Sequence, residues 1–417
     1  MSEVVAMPIN PGDTAWILIS SALVMLMTPG LALFYGGMVR RKNVVHTMMM
    51  SFAILALVGL LWVLYAYSLG FGPDIGGIIG NLNFIGLNEV GQAPSDTYAS
   101  TVPHLAFMIF QAMFAIITVA LITGAVVERI KFSALLAFAT LWVTFIYAPV
   151  AHWVWADGGW LANLGILDFA GGTVVHINAG VSALALVMLL GSRKGFLKEP
   201  MEPHNIPMVM LGAVLLWFGW FGFNAGSSLA ADGLAANAFV ATNTAAAAAA
   251  FTWLLLSWRQ RRPTLLGAAT GAVAGLVAIT PAAGFVTPIA GIPIGIGAAA
   301  VCYYALLFLK TKLNFDDSLD VFAVHGIGGI FGALATGIFA SVAVNSAGAD
   351  GLLLGGGMQF LKQVVGVVAV GGFAFGGSWL LGKLVDVTIG LRVKETEEMV
   401  GLDISQHGER AYGGLLR

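Results

Sequence analysis

Apolar residues run along this chain in stretches of about 20, the length an α-helix needs to cross roughly 30 Å of hydrocarbon at about 1.5 Å per residue. The stretches recur from Trp16 to Leu391 with short polar or glycine-bearing breaks between them. They predict eleven membrane-spanning helices, over about residues 14–38, 46–70, 103–127, 133–153, 170–191, 206–230, 238–258, 264–282, 288–309, 320–343 and 358–389. Basic residues punctuate the pattern on alternate breaks. Arg40, Arg41 and Lys42, then Arg129 and Lys131, then Arg193, Lys194 and Lys198 follow odd-numbered spans. So do Arg259, Arg261 and Arg262, Lys310 and Lys312, and the cluster from Lys383 to Arg417. The other breaks (72–102, 154–169, 231–237, 283–287, 344–357) carry no Lys or Arg, and Lys362 is the only basic residue near that side. Because positive residues stay in the cytoplasm, the N-terminus is expected outside and the C-terminus inside.

Composition sharpens this reading. Of 417 residues, 59% are hydrophobic and 10% charged, with a mean hydropathy of +0.90. A soluble domain carries about 25% charged residues, so a water-facing surface is excluded. The net charge of −2 says nothing about nucleic acid, but no basic stripe with interleaved aromatics appears, and no nucleic-acid partner is expected. The single cysteine, Cys302, rules out an intrachain disulfide and a thiolate cluster, and its apolar neighbours make it a packed thiol. Met1 to Asp13 has no basic n-region before the first apolar stretch, so no cleavable signal peptide is expected. No nucleotide loop, HExxH, Ser-His-Asp order or paired carboxylate occurs within the spans, so neither an enzyme nor a cofactor is expected.

Spans 5 and 10 open alike, with Asp168-Phe169 before His176 in one and Asp320-Val321-Phe322 before His325 in the other. Five spans separate them, so the second copy enters from the opposite face, as in inverted-repeat transporters that place their path near the midplane. The expected fold is an all-α integral membrane protein with two inverted five-helix repeats, about 14–191 and 206–343, and a final helix at 358–389. Together these form a transport domain over 1–389, with a cytoplasmic tail at 390–417.

Polar groups inside hydrocarbon are costly and face a partner or a pathway. His176 and His325 sit well inside their spans, each roughly 10 Å from opposite faces by the helix rise. One reading is two unrelated core histidines, each bonded to a backbone carbonyl. The matched repeat positions favour a facing pair that lines a pore. A metal site is disfavoured, since two imidazoles without nearby Cys, Asp or Glu fall short of three or four ligands. His104 and His152 fall near the outer face and His46, His204 and His407 near or in the cytoplasm, where solvation accounts for them. Asp168 and Asp320 precede helical runs and are expected as N-caps, with a secondary role in attracting cations to the outer mouth. Glycines at small-xxx-small spacing, as in Gly267, Gly271 and Gly275, point to close helix packing, as does the run Ala245–Ala250.

Several segments together resemble the Amt/Mep/Rh ammonium transporter family in its bacterial and archaeal Amt form. The most specific is Asp168-Phe-Ala-Gly-Gly-Thr-Val-Val-His176-Ile-Asn-Ala-Gly180. Others are Pro29-Gly-Leu-Ala-Leu-Phe-Tyr-Gly-Gly37, Phe110-Gln-Ala-Met-Phe114, Gly219-Trp-Phe-Gly-Phe-Asn-Ala-Gly-Ser227 and Asp320-Val-Phe-Ala-Val-His-Gly326. The tail from Gly401 to Tyr412 is similar to the family's C-terminal motif. The resemblance implies an outer recruitment site at Trp155, Ser227, Phe110 and Phe114, with Asp168 and Asp320 supporting it. It implies a phenyl gate at Phe114 and Phe223, and a pore lined by His176, His325, Trp220 and Thr280. The segment Ala156-Asp157-Gly158-Gly159 after Trp155 is longer than the family's usual glycine run.

The implied activity is uptake of ammonium across the cell (inner or plasma) membrane. NH4+ would be recruited at the aromatic site and deprotonated, and NH3 would pass the gate, with the proton left behind or relayed by the histidines. The resemblance also implies a homotrimer with one pore per subunit, set in membrane lipid, and a cytoplasmic PII-type signalling protein as partner. Two other classes compete. An ammonium sensor usually carries a fused signalling domain, for which the roughly 27 residues after the last span are too few. An Rh-type neutral gas channel fits the outer Trp155–Ser227 pattern less well.

Overall fold

The structure, a computed structural model, describes residues 9–413. It is a helical bundle. Ten helices are long and apolar enough to span a membrane: α1 (Pro11–Met38), α2 (Arg41–Phe71), α3 (His104–Val126), α4 (Phe132–Leu164, broken after Trp155), α5 (Gly172–Leu190), α6 (Ile206–Gly226), α7 (Gly233–Gln260), α9 (Pro288–Thr311), α10 (Phe322–Phe339) and α11 (Gly357–Thr388). The expected eighth span appears as a shorter apolar helix, α8 (Leu265–Ile279). Pro281 follows it closely, and a proline cannot continue a helical hydrogen-bond ladder. A short tail helix, α12 (Glu395–Val400), closes the order.

Local sequence explains the helix starts. The Asn10 side chain accepts from the Gly12 and Asp13 amides with Pro11 in the first turn, and Asn205, Asp232 and Thr264 cap α6, α7 and α8 in the same way. The break between α2 and α3 folds into two small antiparallel hairpins, β1 (Asp74–Ile75) with β2 (Ile79–Gly80) and β3 (Pro94–Ser95) with β4 (Ala99–Pro103). The first turns through Gly76 and Gly77, both at positive φ.

Glycine sets how closely the helices approach. A methyl at Gly212 of α6 would overlap the Phe34 backbone of α1, and Gly219 faces Met27 and the Leu23 carbonyl. On α8, Gly271 and Gly275 lie against Trp253, Ala249 and Ala245 of α7, which makes that alanine run a packing surface. The tightest crossing joins the two histidine-bearing helices. A methyl at Gly180 of α5 would overlap the backbone nitrogen and Cα of Gly326 in α10. Backbone cannot yield as a side chain can, so Gly180→Ala is expected to cost about 3 kcal/mol or more. Thermal unfolding of the purified variant checks this, and a wild-type midpoint would contradict the crossing.

Arg40, Arg129 and Arg193, from three of the basic clusters, meet in a buried ion network at one end of the bundle, here the basic face. Glu128, fully buried, pairs with Arg40 at 2.9 Å and Arg193 at 3.0 Å, and Arg193 pairs with Asp316 at 2.6 Å. Arg129 donates to the Ser318 hydroxyl at 2.6 Å and the Asp316 carbonyl at 2.7 Å. Burial works against the Glu128 carboxylate, but the Arg193 and Arg40 guanidiniums outweigh it and hold its pKa down to about 2. The network ties the end of α5 to the loop before α10.

Tail residues 391–412 pack against this face. The Leu391 carbonyl accepts from the Lys131 amide at 2.9 Å, and the Val393 amide donates to the Arg129 carbonyl at 3.0 Å. Leu402 donates to the Asn43 side chain, and Arg392 and the Lys194 amide both reach the Glu398 carboxylate. The histidines expected to be solvated are instead held. His46 is fully buried with its Nδ1 3.0 Å from His407 Nε2, and His204 bonds the Val39 carbonyl and the Tyr412 hydroxyl. On the other face His104 meets the Tyr67 hydroxyl at 2.6 Å, and His152 meets the Gly70 carbonyl and the Asp74 carboxylate. An imidazole offers two hydrogen-bonding nitrogens, and these loops supply partners that residue position alone does not reveal.

Candidate functional site

Most of the residues singled out in the sequence fall on one line through the bundle. At the face opposite the basic clusters, the ends of α3, α4 and α6 enclose a cavity of about 200 Å3 lined by Phe110, Gln111, Phe114, Trp155 and Ser227 among others. Trp155 ends the main run of α4, and its indole N–H donates to the Asp168 carbonyl at 2.9 Å, which turns the ring toward the cavity wall. The Phe110 and Phe114 rings stand edge to face, centroids 4.9 Å apart, and Phe114 meets Trp155 at 5.7 Å and 90°. Ser227 donates its hydroxyl to the Phe223 carbonyl at 2.8 Å, leaving the oxygen lone pairs available. Aromatic faces with one hydroxyl oxygen attract a small cation and replace part of its water shell.

Beneath the cavity Phe114 and Phe223 close the path, with centroids 4.3 Å apart. His176 lies past them, 6.0 Å from the Phe223 ring and stacked on Trp220 at 5.4 Å. His176 and His325 face each other, with their Nδ1 atoms 3.3 Å apart. Both rings are almost wholly buried, and His176 Nε2 has no partner among the described residues. The space they share with Trp220, Phe223, Val175 and Ile117 is about 10 Å3. That holds at most about one water-sized molecule. Each histidine sits in a π-turn, Gly172–Ile177 in α5 and Phe322–Ile327 at the start of α10, and such bulges recur at functional sites.

Beyond His325 a smaller cavity of about 50 Å3 opens toward the basic face, lined by Tyr35, Thr270, Asp320 and Val324. The order along the line is therefore aromatic cavity, phenyl pair, histidine pair, inner cavity.

Asp168 is the N-cap expected of it. Its Oδ1 accepts from the Gly171 amide at 2.9 Å and the Gly172 amide at 2.5 Å. Its Oδ2 accepts from the Thr173 amide at 2.8 Å and from the Thr173 hydroxyl. Gly171 at φ 111° permits the tight approach, since a side chain there is strained. Asp168 thus holds the start of the His176 helix and, through its own carbonyl, the Trp155 ring.

Asp320 departs from expectation on two counts. It lines the inner cavity rather than the recruitment site, because α10 enters from the basic face. It caps nothing with its side chain either: at φ 62° its carboxylate turns to Lys310, 2.8 Å away. The cap falls to Asp317, whose Oδ2 accepts from the Phe322 amide at 2.7 Å. Burial, reinforced by the Asp320 carboxylate, pushes the Asp317 carboxyl up to about 7. Thr280 is buried and receives the Trp220 indole N–H at 2.9 Å while its own hydroxyl goes to the Leu276 carbonyl, so it anchors Trp220 rather than bordering either cavity. Gln111, buried with an unpartnered side-chain oxygen, joins the cavity and was not singled out, though it stands inside the Phe110–Phe114 segment.

Many known proteins are similar to this chain in sequence and in fold. The family model described as Ammonium Transporter Family matches residues 15–412. A protein of Bacillus subtilis strain 168 named ammonium transporter is 52% identical over 402 residues, covering 96% of this chain and 98% of its own. The crystal structure of Saccharomyces cerevisiae Mep2 superposes with a TM-score of 0.87 at 35% identity, covering 93% of this chain and 91% of that one. A structure named Sensor Amt Protein reaches a TM-score of 0.87 at 29% identity, covering 95% and 98%.

Proposed function

From the premise that this chain belongs to the ammonium transporter family and is a multi-pass membrane protein, we propose that it recruits NH4+ at the Trp155–Ser227 cavity and conducts ammonia through the Phe114–Phe223 gate past His176 and His325. The observation that carries the reading is the single file of these groups, with nearly no free space between the phenyl pair and the histidines. A bare cation in so apolar a passage loses its hydration without replacement, which is prohibitively costly. Neutral NH3 avoids that cost, and paired imidazoles that each donate and accept give it hydrogen-bond partners in turn. The ion's proton is left at the aromatic cavity or passes separately along the histidines. K+ cannot shed a proton and is excluded.

In this reading the basic face is cytoplasmic and the aromatic cavity opens outside, as the distribution of Lys and Arg supports. The two five-span repeats, about 14–191 and 206–343, put their equivalent helices α5 and α10 in contact at the histidines. The family further suggests a homotrimer and a PII-type signalling partner on the basic face, where tail residues 391–412 pack.

Trp155→Leu tests the recruitment site. A cation over an indole face gains about 0.5–2 kcal/mol, so the half-saturating ammonium concentration is expected to rise between about twofold and thirtyfold. A concentration dependence equal to that of the unaltered protein would remove Trp155 from the site.

A further inference from the structure

At the basic face, outside the line of transport, the loop after α1 and the tail enclose a second cavity of about 330 Å3. That is within the range of about 300–1,000 Å3 typical of small-molecule sites. Its walls carry Arg41 and Lys42 from the start of α2, where the loop after α1 ends, and Asp403, Ile404, Arg410 and Tyr412 from the tail.

The charges here are unlike those of the neighbouring ion network. Arg40, Arg193 and Arg392 are each paired with Glu128, Asp316 or Glu398. Arg41 and Arg410 make no hydrogen bond or ion pair among the described residues, although both line one cavity. Lys42 donates to the Glu398 and Met399 carbonyls at 2.9 and 2.6 Å and makes no ion pair among the described residues. The one carboxylate in the wall, Asp403, accepts the His46 amide at 2.9 Å. Three positive groups therefore face one negative group already engaged with backbone. Beside them lies an apolar floor. The Tyr412 ring is stacked under the Arg41 guanidinium at 5.1 Å and fixed through its hydroxyl to His204 at 2.9 Å, and Ile404 stands next to it.

We infer that this cavity is a binding site for a phosphate-bearing ligand with an apolar or aromatic portion, and that occupancy fastens the tail to the loop after α1. Guanidinium groups match the geometry of phosphate oxygens with paired N–H donors, and two of them with an ammonium suit a doubly charged group better than a single carboxylate. The apolar floor takes the rest of the molecule. The cavity draws one wall from residues 41–42 and the other from residues 403–412, so a bound anion bridges the segments and opposes their separation. Two sources of this chemistry reach the site: a soluble phosphate ester such as a mononucleotide, and the headgroup of an anionic lipid, since the loop follows directly on a membrane span.

Amide hydrogen exchange of the full-length protein in lipid nanodiscs tests this without reference to transport. One arm uses phosphatidylcholine discs titrated with AMP at constant ionic strength, and the other compares phosphatidylglycerol with phosphatidylcholine discs. At a ligand concentration ten times its Kd, exchange across residues 395–412 is expected to slow about tenfold in at least one arm. The Arg41→Gln/Arg410→Gln double variant should lose that protection while α5 and α10 exchange as before. Slowing in the AMP arm alone assigns the site to soluble esters, and slowing in the phosphatidylglycerol arm alone assigns it to lipid. Unchanged exchange in both arms overturns the inference, as does protection that persists in the double variant or is matched by chloride.

Discussion

His176→Ala is expected to cut the saturating ammonium current about fivefold or more and to let K+ carry current where the unaltered protein carries none. The ring fills the narrowest part of the line, stacked on Trp220 and facing His325 with 3.3 Å between nitrogens. Truncation removes a hydrogen-bond partner for ammonia, and losing one such bond at a buried point costs about 1–3 kcal/mol, or roughly fivefold to 150-fold. It also replaces about 10 Å3 of space with room for several waters, through which a hydrated ion can slip. His325→Ala should act in the same direction, since its ring is the other half of the pair. Full transport with full exclusion of K+ in both variants would show that the histidines only fill space.

Asp168→Ala should have a still larger effect, with no measurable current and little folded protein in the membrane. The carboxylate gathers the Gly171, Gly172 and Thr173 amides and the Thr173 hydroxyl, all buried. Stripping it leaves four donors unsatisfied at about 1–3 kcal/mol each, which rivals a typical folding stability of about 5–15 kcal/mol. Asp168→Asn keeps one acceptor oxygen and should fold partly, at reduced current. Fluorescence-detected size exclusion beside the current measurement separates folding from transport. A well-folded Asp168→Ala protein with normal current would mean the helix start needs no such cap.

Much of this site could be read before any coordinates. Span lengths follow from apolar runs because the bilayer fixes them, and the His176–His325 pairing follows from matched positions in two spans that cross at Gly180 and Gly326. What escaped depends on where side chains turn. Asp320 and Asp168 look alike in sequence, yet Lys310 draws one away and leaves its cap to Asp317. Arg129 and Arg193 read as topology markers, and their burial with Glu128 and Asp316 comes from loops far apart in the chain. His46 is covered by Phe132 and by the tail, whose His407 meets its Nδ1. α8 starts where expected but stops at Ile279, short of 282, because apolar residues continue past Pro281, where the helix cannot.

The most direct test of the account is electrical. The protein, reconstituted in liposomes on a solid-supported membrane, receives an ammonium pulse and then a K+ pulse, with internal pH recorded in parallel. The account predicts a saturable ammonium response, as current or as rapid internal alkalinisation, with none to K+. A current alone or with alkalinisation means that charge accompanies ammonia, and alkalinisation alone means that only NH3 passes. Silence in both readouts from correctly folded protein would contradict transport and leave ammonium sensing as the better reading.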